Sequence, residues 1–243
     1  MNPRVQIAAA ATPGGAELTL YRHDRDFCIT INGEQLMHSR QHESELELAR
    51  LGCAHLRGPL SAGRQPPSVL IGGLGMGYTL RQALDLLPPA ARVVVGELSP
   101  VIVEWNRRYL GGLNHHPLGD ERVELAVGDV VERISRCRHG FDAILLDIDN
   151  GPDALSDPGN HRLYGPDGLL ACRGALRDQG CLAVWSAGPS PRFERLLTDA
   201  GFQMRSFRVP AYRGSRARTR IVWVASRDRQ RLPQGGRPRA SRQ

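Results

Sequence analysis

The chain has 243 residues, room for one α/β domain with a small additional element, and its 41% hydrophobic and 23% charged residues are ordinary for a globular protein. The formal charge of +7 suggests a polyanion binder, but residues 205–243 carry twelve arginines and one acid, Asp228, while residues 1–204 are net −4. No apolar run approaches the ~20 residues of a membrane span, and the five scattered cysteines (Cys28, Cys53, Cys137, Cys172, Cys181) show neither zinc spacing nor a secreted disulfide framework, so a reducing, cytoplasmic setting without a metal is expected.

In chain order, residues 1–16 read as a flexible lead-in, with Pro13-Gly14-Gly15 as a breaker. Residues 17–64 are expected to form a small unit. Two short alternating strands, 17–21 and 27–31, precede Asn32-Gly33, a strong hairpin turn signal. A helix over 43–56 follows, with Leu46, Ala49, Cys53 and Leu56 near helical spacing. Residues 65–226 then alternate strand and helix. Strands are predicted at 69–72, 92–97, 123–127, 141–147 and 181–185, and helices at 79–87, 100–109, 130–137, 167–176 and 191–200. Two consecutive strands, 203–209 and 220–225, close the pattern. Residues 227–243 are Arg-rich, with Pro and Gly, and read as a disordered tail. The implied architecture is a Rossmann-like α/β domain: a mainly parallel seven-stranded sheet with an antiparallel C-terminal edge, preceded by the β-hairpin element.

The stretch 69–78, Val-Leu-Ile-Gly-Gly-Leu-Gly-Met-Gly-Tyr, runs a buried strand into a glycine turn. It does not complete a dinucleotide fingerprint, which requires a small residue at Tyr78 or at Leu80. The chain has no lysine, so a P-loop is excluded. Ligands on open α/β sheets bind beyond the carboxyl ends of the strands. Gly73, Gly75, Gly77, Glu97, Asp129 and Asp147 all fall at such ends. Glu97 suits two ribose hydroxyls, and Asp129 suits an adenine amino group or a helix N-cap. Acids on this rim favour a cationic sulfonium donor over a pyrophosphate, which they repel. Asp147 suits proton removal from an amine or capping of the loop that follows it.

Residues 69–81, Glu97, Gly128-Asp129 and residues 141–152 resemble the polyamine aminopropyltransferase family, the spermidine synthases, which has the fold of class I S-adenosylmethionine-dependent methyltransferases. The resemblance takes in most of residues 17–185. It implies an adenosyl-sulfonium site made by Gly73, Gly75, Gly77, Glu97 and Asp129, with S-adenosylmethionine or its decarboxylated form as donor. It implies Asp147 as base or orienter for an amine acceptor, with Asp149 and Asn150 nearby, and a homodimer. The family's glycine loop carries an Asp for the donor's amino group where this chain has Met76. Its Tyr-His-Glu motif on the preceding helix is absent, that region reading Ala49-Arg50-Leu51. Three functions therefore stay open: aminopropyl transfer to a diamine, methyl transfer to a small molecule or RNA, and a non-catalytic nucleoside- or polyamine-binding protein. In the RNA case the Arg-rich tail acts as an electrostatic tether.

Overall fold

A computed structural model describes residues 3–12, 15–57, 65–148, 151–152, 162–215 and 219–238. The N-terminal unit is an antiparallel sheet of β1 (Val5–Ala11), β2 (Glu17–His23), β3 (Asp26–Ile31) and β4 (Glu34–His38), paired in that order. The Asn32-Gly33 turn is present, with both residues at positive φ. This is twice the expected hairpin, and the flexible lead-in is corrected to a strand from Val5. The physical reason is composition. Val-Gln-Ile-Ala-Ala-Ala-Ala has little β-propensity and no polar alternation, yet as a partly exposed edge strand it needs only backbone pairing and the packing of Ile7, Ala8 and Ala10.

Helix α1 (Glu43–Gly52) leads into the main sheet. That sheet contains β5 (Ser68–Gly72), β6 (Arg92–Glu97), β7 (Val123–Val127), β8 (Phe141–Leu146), β9 (Leu176–Ser186), β10 (Gln203–Pro210), β11 (Thr219–Ser226) and the two-residue β12 (Arg237–Pro238). Their spatial order is β12-β10-β11-β9-β8-β5-β6-β7. The strands β7, β6, β5, β8 and β9 are mutually parallel; β11, β10 and β12 are antiparallel. The expected seven strands and antiparallel edge are therefore present, with β12 added.

The remaining helices are α2 (Tyr78–Leu86), α3 (Pro100–Trp105), α4 (Val130–Arg136), α5 (Pro166–Ala175) and α6 (Pro191–Asp199). Strand periodicity sorts the core into two layers. Val69, Ile71, Val93, Val95, Ala143 and Leu145 face α1, α2 and α3 and the N-terminal sheet. Leu70, Val94, Ile144 and Leu146 face α4, α5 and α6 on the other side. A sheet covered on both faces explains the near-continuous apolar runs of these strands. Gly52 permits the closest contact of α1: a Cβ there would lie 2.2 Å from Leu145 Cδ2.

Order reverses between β5 and β8. Chain order runs outward from β5 through β6 to β7 on one side, and through β8 to β9 on the other. The carboxyl ends of β5 and β8 therefore flank the topological switch point, where such sheets bind ligands.

The tail expectation also requires correction. From Arg227 the chain turns back along the sheet. The Arg227 guanidinium donates to Leu176 O at 2.9 Å, and Leu232 packs on the core. The Cys181 thiol reaches Arg231 O at 3.7 Å, and β12 pairs with Arg205 and Ser206 of β10. Composition misleads here because the anchoring groups are backbone carbonyls and one leucine. Removing residues 227–243 is expected to cost about 1–2 kcal/mol, lowering Tm by roughly 2–8 °C in a thermal melt. An unchanged Tm would show these contacts to be energetically idle.

Candidate functional site

The glycine loop begins where β5 ends. Gly73 adopts φ +90°, and its N–H donates to Gly96 O at 2.8 Å. A Cβ on Gly73 would stand 2.3 Å from Asp147 O, so any side chain would separate the ends of β5 and β8. Asp147 N–H in turn donates to Gly72 O at 2.9 Å, which fixes the Asp147 backbone beside the loop.

Glu97, at the end of β6, is buried and binds the loop from beside it. Its Oε2 accepts from Leu74 N–H and its Oε1 from Ser99 N–H, each at 2.8 Å. A carboxylate has about four acceptor positions, so these ties are compatible with contacts to a diol. Gly128 N–H donates to Glu97 O at 2.9 Å, bringing the end of β7 to the same rim. Two apolar side chains, Leu98 (71% exposed) and Val127 (55% exposed), border Glu97 and present bare surface of the kind a flat aromatic ring would cover.

Asp129 caps α4, accepting from Val131 N–H through Oδ1 at 2.8 Å. Its Oδ2 pairs with the Arg162 guanidinium at 3.0 Å. The N-cap role weighed for this residue is present, and an arginine that sequence reading did not associate with the site touches it. A cleft of ≈ 440 Å³ runs from Asp129 along α4 to Arg92 and Phe141. It leads away from the rim, towards the amino ends of the strands. Its arginines Arg92, Arg133 and Arg136 are already paired with Glu124 or Glu132.

Two asparagines hold the glycine loop from behind. After α3 the helix widens into a π turn over residues 106–110, within the longer helix expected from sequence. From there Asn106 Nδ2 donates to Gly75 O at 2.8 Å and to Ile102 O at 2.9 Å. Asn114 Nδ2 donates to Met76 O at 2.8 Å. Met76 itself is 2% exposed and points into the core, so it offers no surface to a ligand.

A second carboxylate stands beside Asp147. Glu45, in the first turn of α1, reaches to 4.0 Å from where a Gly75 Cβ would be. Thr79, at the start of α2, joins the two acids: its hydroxyl donates to Asp147 Oδ2 at 2.8 Å and lies 3.4 Å from Glu45 O. Loss of solvent around Asp147 pushes its carboxyl up to about 6, against a smaller opposing effect of the Thr79 hydrogen bond. Glu45 is raised well above the ordinary carboxylate range, first by burial and then by repulsion from Asp147. Neither carboxylate forms an ion pair among the described residues.

Sequence reading missed Glu45, although one signal for it exists. Glu45, Leu48, Ala49 and Gly52 share one face of α1, and the last three are buried. An acid continuing an apolar helical stripe is out of place unless it has a function. The six residues Gly73, Gly75, Gly77, Glu97, Asp129 and Asp147 do lie at adjoining strand ends. The expected acceptor residues Asp149 and Asn150 lie outside the described residues.

Burial favours the protonated form of Asp147, so its stabilising contribution is complete below the unfolded value near 4 and is lost as pH rises through about 6. Ligand-free wild-type protein should therefore lose Tm relative to Asp147→Asn between pH ~4 and ~7. Thermal melts of both proteins across that range check this; parallel curves would contradict it.

No protein-family model matches the chain. Among curated proteins, the polyamine aminopropyltransferase of Saccharolobus islandicus is 29% identical over 139 residues, 57% of this chain and 45% of the relative. That of Nitrosomonas europaea is 34% identical over 137 residues, 54% of this chain and 40% of the relative. The aligned stretch thus spans less than half the length of either relative. In fold, the chain is similar to spermidine synthase from Thermotoga maritima, with TM-score 0.74 and 18% identity over 94% of this chain and 76% of that one. A spermidine synthase in complex with the transition-state analogue AdoDATO gives TM-score 0.72 at 18% identity, covering 94% and 75%. Human methyltransferase-like protein 13 in complex with SAH gives 0.59 at 18%, covering 78% and 85%. The resemblance read from the sequence holds: the chain is similar to polyamine aminopropyltransferases, on a methyltransferase-like fold.

Proposed function

We propose that this protein is a cytoplasmic transferase that moves an aminopropyl group from an adenosyl-sulfonium donor to a small amine such as a diamine. The observation that carries this reading is the pair Glu45–Asp147. Two desolvated acids with no cation paired to them among the described residues stand beside a glycine loop at the sheet's switch point. Such a place suits a cationic substrate. The names of the sequence relatives supply the chemistry of that cation.

The residues divide the work as follows. Gly73, Gly75 and Gly77 allow the donor to approach bare backbone, and Glu97 accepts from ribose hydroxyls. Leu98 and Val127 cover the faces and edge of the adenine, and Asp129 marks the end of that pocket. The donor supplies a carbon activated by positive sulfur. The acceptor nitrogen forms a bond to that carbon as the carbon–sulfur bond breaks; the electron pair stays on sulfur, leaving a neutral thioether. Asp147 takes the proton released by nitrogen. Its carboxyl, raised to about 6, is a stronger base than an ordinary aspartate while still ionised near neutral pH. Positioning of the two reactants over the loop contributes the larger share of the rate, as in other bimolecular transfers.

Incubating the protein with putrescine and decarboxylated S-adenosylmethionine should yield a product heavier by one aminopropyl group in mass spectrometry. A mass gain of one methyl group from S-adenosylmethionine would instead support the methyltransferase reading, and no gain from either donor the non-catalytic one. Asp147→Asn should reduce kcat by ~10²–10⁴-fold, and the wild-type kcat/KM should rise with pH through about 6. Equal turnover by the variant would remove Asp147 from the mechanism.

A further inference from the structure

We propose that the acceptor is an amine whose far end is a carboxylate, held by Arg220 and the indole N–H of Trp185 on the rim beside Asp147. This rests on the transferase reading above and names the class of acceptor within it.

The first support is placement, because strand register sets three side chains in a row. Leu146 of β8 pairs with Val184 of β9, so Trp185 stands next to Asp147 across the strands. Trp185 in turn pairs with Val222 of β11, and Arg220 lies two residues nearer the rim on that antiparallel strand. Alternation gives all three the same face. Leu145, Ala183 and Val222 belong to the core layer under α1 and α2, and Asp147, Trp185 and Arg220 each stand two residues from one of them. The Arg220 guanidinium carbon is 5.8 Å from the centre of the Trp185 ring. Neighbouring strands lie ~4.8 Å apart, so the row from Asp147 to Arg220 spans roughly 10 Å of backbone. Side chains reaching inward from both ends leave room for a short chain with one functional group at each end.

The second support is that the chemistry changes sign along this row. Asp147 is an acid, whereas the groups beyond it only donate. Trp185 Nε1 is buried with no hydrogen-bond partner, and an indole N–H cannot accept. Arg220 is half-buried, and among the described residues its guanidinium has no ion pair and one long hydrogen bond, 3.5 Å to the adjacent Thr219 O. Arg122 and Arg177, half-buried to the same class, are each matched by a carboxylate, Asp120 and Asp142. A donor and a cation left without acceptors carry a desolvation cost that a carboxylate removes. A diamine brings no acceptor atom to this end, and its distal ammonium meets the guanidinium as a like charge, so the row discriminates by repulsion as well as attraction. The transfer itself is unchanged. The amine nitrogen gains the bond to carbon, the carbon–sulfur electron pair stays on sulfur, the proton passes to Asp147, and the carboxylate takes no part in the bond changes.

Initial rates with decarboxylated S-adenosylmethionine, read by mass spectrometry, test this with two series of acceptors. One series is 3-aminopropanoate, 4-aminobutanoate and 5-aminopentanoate; the other is the diamines of matched length. Wild-type kcat/KM should be at least about tenfold higher for the best amino carboxylate than for its matched diamine. Arg220→Gln should lower that value by about 10–100-fold, mainly through KM, and raise the value for the diamine, a reversal that misfolding does not imitate. Trp185→Phe keeps a ring and removes the N–H, and should lower the amino-carboxylate value by about 3–10-fold. If wild type favours the diamine, or if Arg220→Gln leaves the preference unchanged, the inference is overturned and the transferase reading stands. If no acceptor of either series gains an aminopropyl group, the transferase reading falls and the inference with it.

Discussion

The site depends on the contact between the backbone of Gly73 and that of Asp147. At this point two neighbouring parallel strands, β5 and β8, end together while the chain leaves them in opposite directions across the sheet. Gly73 at φ +90° turns the chain without a side chain, and the space saved is what Asp147 O occupies. Everything else is secured to this junction. Glu97 ties the next strand to Leu74, Asn106 and Asn114 hold the carbonyls of Gly75 and Met76, and Thr79 links the first turn of α2 to Asp147. A loop with this much backbone hydrogen bonding is pre-organised, so little ordering is required when a ligand arrives.

Electrostatics sets the second layer of the design. The folded body carries net negative charge, but most acids of the sheet's rim are spoken for by N–H groups or arginines. Glu45 and Asp147 differ in being half-buried with no counter-charge among the described residues. Burial raises both, and repulsion from Asp147 raises Glu45 further, against the modest help that the N-terminal turn of α1 gives an anion. The cost falls on the empty state, and under the function proposed above a cationic substrate relieves it, which ties stability of the fold to occupancy of the site.

Much of this architecture was legible in the sequence because two-sided burial writes itself as apolar runs ending in a polar residue. Glu97 and Asp147 each close or follow such a run, and Asp129 follows the glycine after β7, so their common rim could be read without a structure. The two ends of the chain were less legible. β1 is an alanine run whose partner strand supplies its order, and residues 227–238 are fixed through carbonyls and Leu232 behind a façade of arginines. Glu45 was illegible as a site residue for a different reason. It lies about a hundred residues from Asp147, and helix periodicity shows only that it faces inward, not what it meets. Asn106 and Asn114 left no pattern at all, since an amide that binds a distant carbonyl has no characteristic spacing.

The position of Glu45 has an evolutionary corollary. Gly73, Glu97, Asp129 and Asp147 all come from the alternating βα core, whereas Glu45 is carried by the helix that follows the N-terminal sheet. The two halves of this rim are thus encoded on separate stretches of polypeptide. The leading segment can change while the core lineage persists, and a common core is then a poor guide to what a descendant's site takes.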